Sequence, residues 1–418
     1  MKAWFLPFIL CGLMCVFLGQ SNALSQVKSQ TTSAAGPPSA APPPEPELPA
    51  WGQYLAPVDK PIMLSPLEYN VVGPPRGYTQ QSAGQDYQSV ISDPNGLLES
   101  DLQIGQSVDI FRPDGIAPIG VVGDHTLPTG AAHISYRYLQ DSLDQNYDGS
   151  QRISVGSIAA KYPFAPTRMM RNSQVALVEY GVTQDLTMLA YLPFQSNSIK
   201  YQTAGGDFDA AFANPGDIRI MGLFALRRGE RSQSHLNLGI SLPVGLLQTQ
   251  TVMPSPVAPT LPYQIRTSSG SYDLLLGYTY RRQTDNWTLG GQINGVIRTG
   301  LNTLGYELGD ELQLTTWAAR RWTPRWSTSA RLDVRLVDQI SGADARLDPA
   351  LSPVNQTNTQ ASRTVNGLLG VNYYLYLPER RLPEQRLFLE LGLPLYQSLN
   401  GPQLGQTWTL NAGWGMTF

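Results

Sequence analysis

Cysteine is nearly missing from this sequence. Among 418 residues there are two, Cys11 and Cys15, both within the first 23 positions. Whatever follows that segment is held together without disulfides. Histidine is almost as scarce. His125, His133 and His235 show no metal-ligand spacing, so each reads as a hydrogen-bonded structural residue. Charged residues make up only 15% of the chain, with a formal net charge of −3, too little to point to nucleic-acid binding. Beyond the N-terminus no apolar run reaches the roughly 20 residues that a spanning helix needs. Mean hydropathy is −0.19, which excludes a polytopic helical membrane protein. No Walker loop, dinucleotide fingerprint or cysteine pair is found after the first segment, and no cofactor is expected.

What is present is proline, glycine and alternation. Met1 to Ala23 reads as a secretory signal: Lys2 is its only charge, Ala3 to Leu18 is apolar, and Ser21-Asn22-Ala23 offers a small-x-small cleavage site. Leu24 to Pro61, with GPPSAAPPPEPELPA at its centre, cannot form a core and reads as a disordered, extended linker. Ile62 to Gly130 is irregular, punctuated by Pro-Pro, Asp-Pro-Asn-Gly and Pro-Asp-Gly. It is too long to be one loop. We expect a periplasmic segment that folds in part into a barrel mouth as a plug.

From Ala131 to Phe418 the pattern turns to period two, the signature of strands with unlike faces. About twelve strands are expected, the number being even as in bacterial barrels. They lie near 131–140, 174–182, 184–196, 216–228, 234–244, 270–281, 286–298, 310–320, 325–337, 363–377, 385–397 and 407–418. In 385–397, Leu387, Leu389, Leu391, Leu393 and Leu395 oppose Arg386, Phe388, Glu390 and Gly392. Charges alternating with leucines suit a wet lumen on one side and lipid on the other. Short connections also alternate with long polar ones, which a β-sandwich has no reason to do. The fold class is therefore all-β: a transmembrane antiparallel β-barrel behind a proline-rich N-terminal region.

The last strand, TWTLNAGWGMTF, has Trp408, Leu410, Ala412, Trp414, Met416 and Phe418 on one face and only Thr, Asn and Gly on the other. It is expected to close the barrel. Its terminal aromatic residue, Phe418, resembles the residue that outer-membrane assembly machinery reads. Its smooth polar face is where room for a passing solute is expected. Four short turns carry arginine pairs: Arg227-Arg228, Arg281-Arg282, Arg320-Arg321 and Arg380-Arg381. They read as a basic collar at the periplasmic membrane boundary, accompanied by girdle aromatics such as Trp287, Trp322 and Trp326. Parity turns Arg137, Glu179, Asp217, Arg219, Asp273, Glu311, Arg331, Asp333, Arg335, Arg386 and Glu390 into the lumen. Their signs nearly balance, so a ring selective for one ion charge is not expected. Whether they line a path or fill the lumen stays open.

Pro118 to Leu139, Asp144 to Gly149, Ala165 to Phe194 and Gly270 to Gly277, together with Gly216-Asp217-Ile218 and Leu242-Pro243-Val244-Gly245, carry a resemblance. They resemble the outer-membrane transporter-like family named for the meta-pathway of phenol degradation. The resemblance runs from about Pro118 to the C-terminus. It implies an outer-membrane barrel and uptake of small, often aromatic or hydrophobic compounds, and no catalytic residues.

Two local patterns carry other chemistry. Asp144-x-Asn146-x-Asp148-Gly149 matches the first half of a calcium loop, yet Val155 stands where the bidentate Glu belongs, so a tight acidic turn is the default. Gly130-x-x-His133-x-Ser135 is similar to a fragment of an outer-membrane phospholipase pattern, but Tyr136-Arg137 replaces the Asn-Gly that should follow. An enzyme is not expected. The expectation is a passive channel or transporter in the outer membrane of a Gram-negative-type bacterium, with lipids and small solutes as partners. The alternative is a non-conducting structural or surface-interaction barrel.

Overall fold

The computed structural model describes residues 108–247, 260–375 and 383–418. The expected signal, the linker, most of the irregular segment and Arg380-Arg381 lie outside the described residues. The strands are β1 (Ala132–Gly149), β2 (Gln151–Ile153), β3 (Ala165–Gly181), β4 (Leu186–Thr203), β5 (Gly206–Pro215), β6 (Ile218–Arg228), β7 (Ser232–Leu242), β8 (Asp273–Gln283), β9 (Trp287–Arg298), β10 (Tyr306–Glu307), β11 (Glu311–Arg321), β12 (Trp326–Val337), β13 (Ser341–Gly342), β14 (Ser362–Leu375) and β15 (Glu384–Thr417). One short helix, α1, covers Val155–Ala159. Among the described residues no helix is long and apolar enough to cross a membrane.

β10 and β13 pair only with each other. The other strands form one 13-stranded sheet, in which β2 and β5 are side strands on β1 and β4. The remaining eleven pair antiparallel in chain order, and β15 returns to β1 to close the ring. At 34 residues β15 is far too long for a single crossing. Fully straight it would measure about 110 Å at the usual rise per residue. Its first part pairs with β14 and its second with β1. Gln397 and Gln406 join the two parts through bonds of 2.8 and 2.7 Å, and Asn411 donates to Glu390 at 2.9 Å and Trp414 to Gln385 at 3.0 Å. The strand therefore doubles back near Asn400, and eleven strands give twelve passes.

The closed ladder satisfies the backbone without water, which lets the outer face be apolar. Leu274, Leu276, Leu289, Leu332, Leu336, Leu387, Leu389, Leu391 and Leu393 are all exposed on that face. Their neighbours in sequence point inward. At one end the connections are tight, and three use the same device. Thr183, Thr284 and Thr323 accept through Oγ1 from the backbone N–H of Leu186, Trp287 and Trp326, at 3.1, 3.2 and 3.0 Å. The sequences TQDL, TDNW and TPRW carry that side-chain-capped turn. Trp322 and Trp326 stand exposed at this end, with Trp326 packed on Tyr373 at 4.5 Å between ring centroids.

Three strands overrun their expected ends. β1 runs to Gly149, β3 starts at Ala165 and β4 reaches Thr203, and the side strand β5 was not expected at all. These extensions lie at the long-loop end. A strand beyond the bilayer needs no apolar outer residue, so the alternation that marks the spanning parts fades there.

Candidate functional site

Residues 108–131 run inside the ring at the short-turn end, and side chains from the wall hold their backbone. Arg137 of β1 donates to the carbonyls of Ile119 and Val121, both at 2.7 Å. Arg281 of β8 reaches Gly115 O at 2.7 Å and Asp124 at 3.5 Å, and Arg386 of β15 reaches Ile110 O at 2.9 Å and Arg112 O at 2.7 Å. The carbonyl of Gly123 collects His235 at 2.9 Å, Gln292 at 3.1 Å and Asn237 at 3.2 Å. Ser327 donates to Pro113 O at 2.7 Å, and Thr187 accepts from Leu127 N at 2.8 Å. Gln233 bonds Thr126. A segment without secondary structure carries unpaired peptide groups, and the inward polar side chains of the wall satisfy them.

Apolar contacts fill what remains. Ile110, Ile116, Ile119 and Leu127 cluster with Phe388, and Ala117 and Val121 with Trp317. Val122 packs on Leu177, Leu189 and Leu223. Within the segment Asp124 accepts from Ala117 N at 2.8 Å and from His125 at 2.9 Å, and the far nitrogen of His125 lies 3.9 Å from Glu179.

Eight of the eleven sequence-predicted lumen residues fall into three groups, and Asp217, Arg219 and Arg335 stand apart. Arg137, Glu179 and Arg386 are buried against the inner segment. Arg331 and Glu390 form a buried two-point pair at 2.7 and 2.9 Å just above it, with Asp333 at 3.2 Å from Arg331. Asp273 and Glu311 each meet Arg298 at 2.6 Å. Asp217 is spent on a loop: it accepts from Ser268 Oγ at 2.6 Å, Ser269 N at 2.7 Å and Ser269 Oγ at 2.9 Å. Arg219 lies over the ring of Tyr191 at 5.5 Å. Arg335 is exposed although its inward neighbours Arg331 and Asp333 are buried. Arg171 of β3, which the strand expected at 174–182 left out, is exposed at an inward position in the same way.

The long-loop end is covered from inside by residues 260–272 and 338–361. Leu261, Ile265 and Val354 pack against Met169, Ile199, Tyr201 and Leu404 of the wall. Asn197 of β4 donates to Ile265 O at 3.3 Å. The two loops are joined by a buried ion pair, Arg266 to Asp344 at 2.8 Å. Arg266 lies between Tyr263 and Tyr306, 5.0 and 4.9 Å from their ring centroids. Burial alone would raise the Asp344 carboxyl, but bonds from Arg346 and Arg266 outweigh it and hold its pKa at about 2.

Several expectations need correction. At Arg281-Arg282 adjacent strand residues face opposite ways, so that pair does not act as one collar, whereas Arg227 and Arg228, beside a bulge, are both exposed. Arg282 is exposed, whereas Arg281 is a fully buried side chain on the inner segment. Arg320 does fit a girdle, 4.0 Å over Trp322 and 5.4 Å over Trp287. The calcium candidates Asp144, Asn146 and Asp148 lie on the extended part of β1, where no loop wraps an ion, and Asn146 donates to Pro166 O at 2.7 Å. His133 bonds Thr417 at 2.9 Å instead of Ser135. The polar face of 407–418 is not open: a Cβ at Gly413 would lie 2.3 Å from Ile119, so glycine there makes space for the inner segment.

No protein-family model matches the sequence, and no curated protein matches it. Several solved structures match it over most of their own length. An outer membrane channel from Pseudomonas putida F1 matches at 12% identity and TM-score 0.49, covering 71% of this chain and 98% of that one. The Pseudomonas putida toluene transporter TodX matches at 10% identity and TM-score 0.35, covering 70% and 90%. A Pseudomonas aeruginosa FadL homologue matches at 9% identity and TM-score 0.32, covering 75% and 98%.

Proposed function

We propose that this chain is a gated channel in the outer membrane of a Gram-negative-type bacterium, with the short-turn end in the periplasm. The observation that carries the reading is the contrast along the lumen. Arg171 and Arg335 point inward and are nevertheless exposed, so water-accessible space lies above a mouth filled by residues 108–131. That mouth is filled by a segment outside the barrel ladder, held by side-chain bonds and contacts that can be exchanged for water one by one. Movement of such a segment opens a path without breaking the barrel. The inner segment is the gate on one side and the loops 260–272 and 338–361 cover the other. The solutes are small molecules, and the family resemblance of Pro118 onward favours aromatic or hydrophobic ones. Phe418, exposed at the end of β15, is the residue offered to assembly machinery. Liposome swelling with purified protein and small aromatic solutes tests this: solute-dependent swelling supports it, and none at any protein density rejects it. The density of bonds on the inner segment favours a second reading, a permanently closed structural barrel, which the same absence of swelling would support.

A further inference from the structure

We propose that the middle of the lumen is a binding site for small organic carboxylates, formed by Arg171, Arg219 and Arg335. The site rests on the channel reading for its role, though not for its existence. The three side chains share the inward parity of buried neighbours: Val175 and Leu177 on β3, Leu223 on β6, Arg331 and Asp333 on β12. Arg171 and Arg335 are exposed and Arg219 half-buried, so all three can be reached by a small solute within the lumen.

Among the described residues none of the three has an ion pair or a side-chain hydrogen bond. Most carboxylates nearby are already held by other arginines, while Asp141 faces Arg171 across the β1–β3 register without bonding it. Arg298 holds Asp273 and Glu311, Arg331 holds Glu390 and Asp333, and Asp141 accepts from Gln406 at 3.1 Å. The arginines nonetheless converge. The electrostatic neighbours of Glu311 are Arg298, Arg335, Arg219 and Arg171, and those of Arg171 include Arg335 and Glu311. β3 and β11 stand on opposite sides of the ring, so this group reaches across the lumen.

Glu311 shows which ligand chemistry the place accepts, because it is a carboxylate amid four guanidinium groups with only Arg298 in contact. Three N–H forks are left over, and a planar fork matches a carboxylate in two-point contact. Asp141 stands opposite Arg171 in the strand register, and Asp333, Glu311 and Asp141 are the acidic neighbours of Arg335, yet none of them bonds these forks, whose N–H groups stay open to an incoming carboxylate. The Tyr191 ring beneath Arg219 adds an apolar face beside the charged one.

The test titrates purified full-length protein in detergent with benzoate, with benzyl alcohol as its uncharged counterpart and inorganic phosphate as a different oxyanion. Saturable benzoate binding is expected, with weaker phosphate and no benzyl alcohol binding. Substituting Arg171→Gln and Arg335→Gln together should weaken benzoate on the order of tenfold per arginine, the worth of one charged hydrogen bond. Heat-modifiable gel migration reports that the variant is folded, and Arg219→Gln gives an independent reading should the double variant fail. Benzoate binding unchanged in these variants, or equalled by benzyl alcohol or phosphate, overturns the site. Benzoate binding without solute flux overturns the channel reading and leaves the site standing. Flux without benzoate binding does the reverse.

Discussion

Replacing Asp344 by Ala tests how the covering loops are held. The Asp344 and Arg266 side chains are each 2% exposed and 2.8 Å apart, and they join loops that follow β7 and β12. Removal of the carboxylate strands a buried guanidinium, a change that costs about 3–5 kcal/mol when one partner of a buried pair is lost. The native carboxyl supplies a second measure. Against the cost of burial, bonds from Arg346 first and Arg266 second lower its pKa from 3.8 to about 2, so roughly 2 kcal/mol at neutral pH is shared between a pair within one loop and the clasp between loops. A loss between these values falls on the loops, because neither residue belongs to the barrel ladder. The sign of the pH dependence follows from the depressed value. The contribution is complete above the unfolded pKa of 3.8 and fades as pH drops towards about 2. Hydrogen exchange at 260–272 and 338–361 is the assay. Those amides should exchange roughly 30-fold or more faster in Asp344→Ala at neutral pH. The native protein should lose the same protection between pH 4 and 2 while the strands keep theirs. A double replacement, Arg266→Met with Asp344→Leu, should restore much of it, since an apolar pair of similar volume can stand in for a buried ion pair. Unchanged loop exchange in Asp344→Ala would refute the clasp.

The inner segment should answer separately. Arg281→Gln leaves Asp124 and the Gly115 carbonyl without their guanidinium, and increased solute flux with normal heat-modifiable migration is expected. Gly120→Leu should have the same effect, because a Cβ at that position would lie 2.2 Å from the Arg331 guanidinium that pairs with Glu390. Thr284→Val removes an Oγ1 acceptor at a tight turn and should destabilise the barrel by about 0.5–1.5 kcal/mol in urea unfolding, with flux unchanged. Deleting Phe418 should slow assembly in cells while refolding into detergent stays near normal.

Much of the barrel could be read from period two alone, and the reasons it could not all be read are physical. In β12, Leu332 and Leu336 meet lipid while Arg331 and Asp333 meet the lumen, and that contrast writes itself into the sequence. Above the membrane the outer residues of β1, β3 and β4 turn polar while Met169, Ile199 and Tyr201 turn apolar inward, so the contrast that marks the spanning parts reverses and the strand ends disappear from view. The doubled strand β15 was legible as two because each half alternates separately. Parity says which face of a strand a residue takes and nothing about its partners. Asp217 is spent on Ser268 and Ser269, and Arg281, read as a membrane collar, is the inner segment's buried anchor. Its contacts, Gly115 and Asp124, lie far off in sequence and carry no periodic signal. The Gly413 space was visible as a smooth face, but only the three-dimensional packing reveals Ile119 in it.

The central claim is that residues 108–131 are a movable gate in a conducting barrel. Ile119→Cys combined with Phe388→Cys places a thiol pair within the apolar cluster that joins the inner segment to the closing strand. Single-channel recording of this variant in a planar bilayer, oxidised and then reduced on the same membrane, tests the claim most directly. A movable gate predicts a silent or nearly silent oxidised protein and opening steps that appear once reductant is added. Equal steps in both states would contradict the gate, and silence in both would contradict the channel.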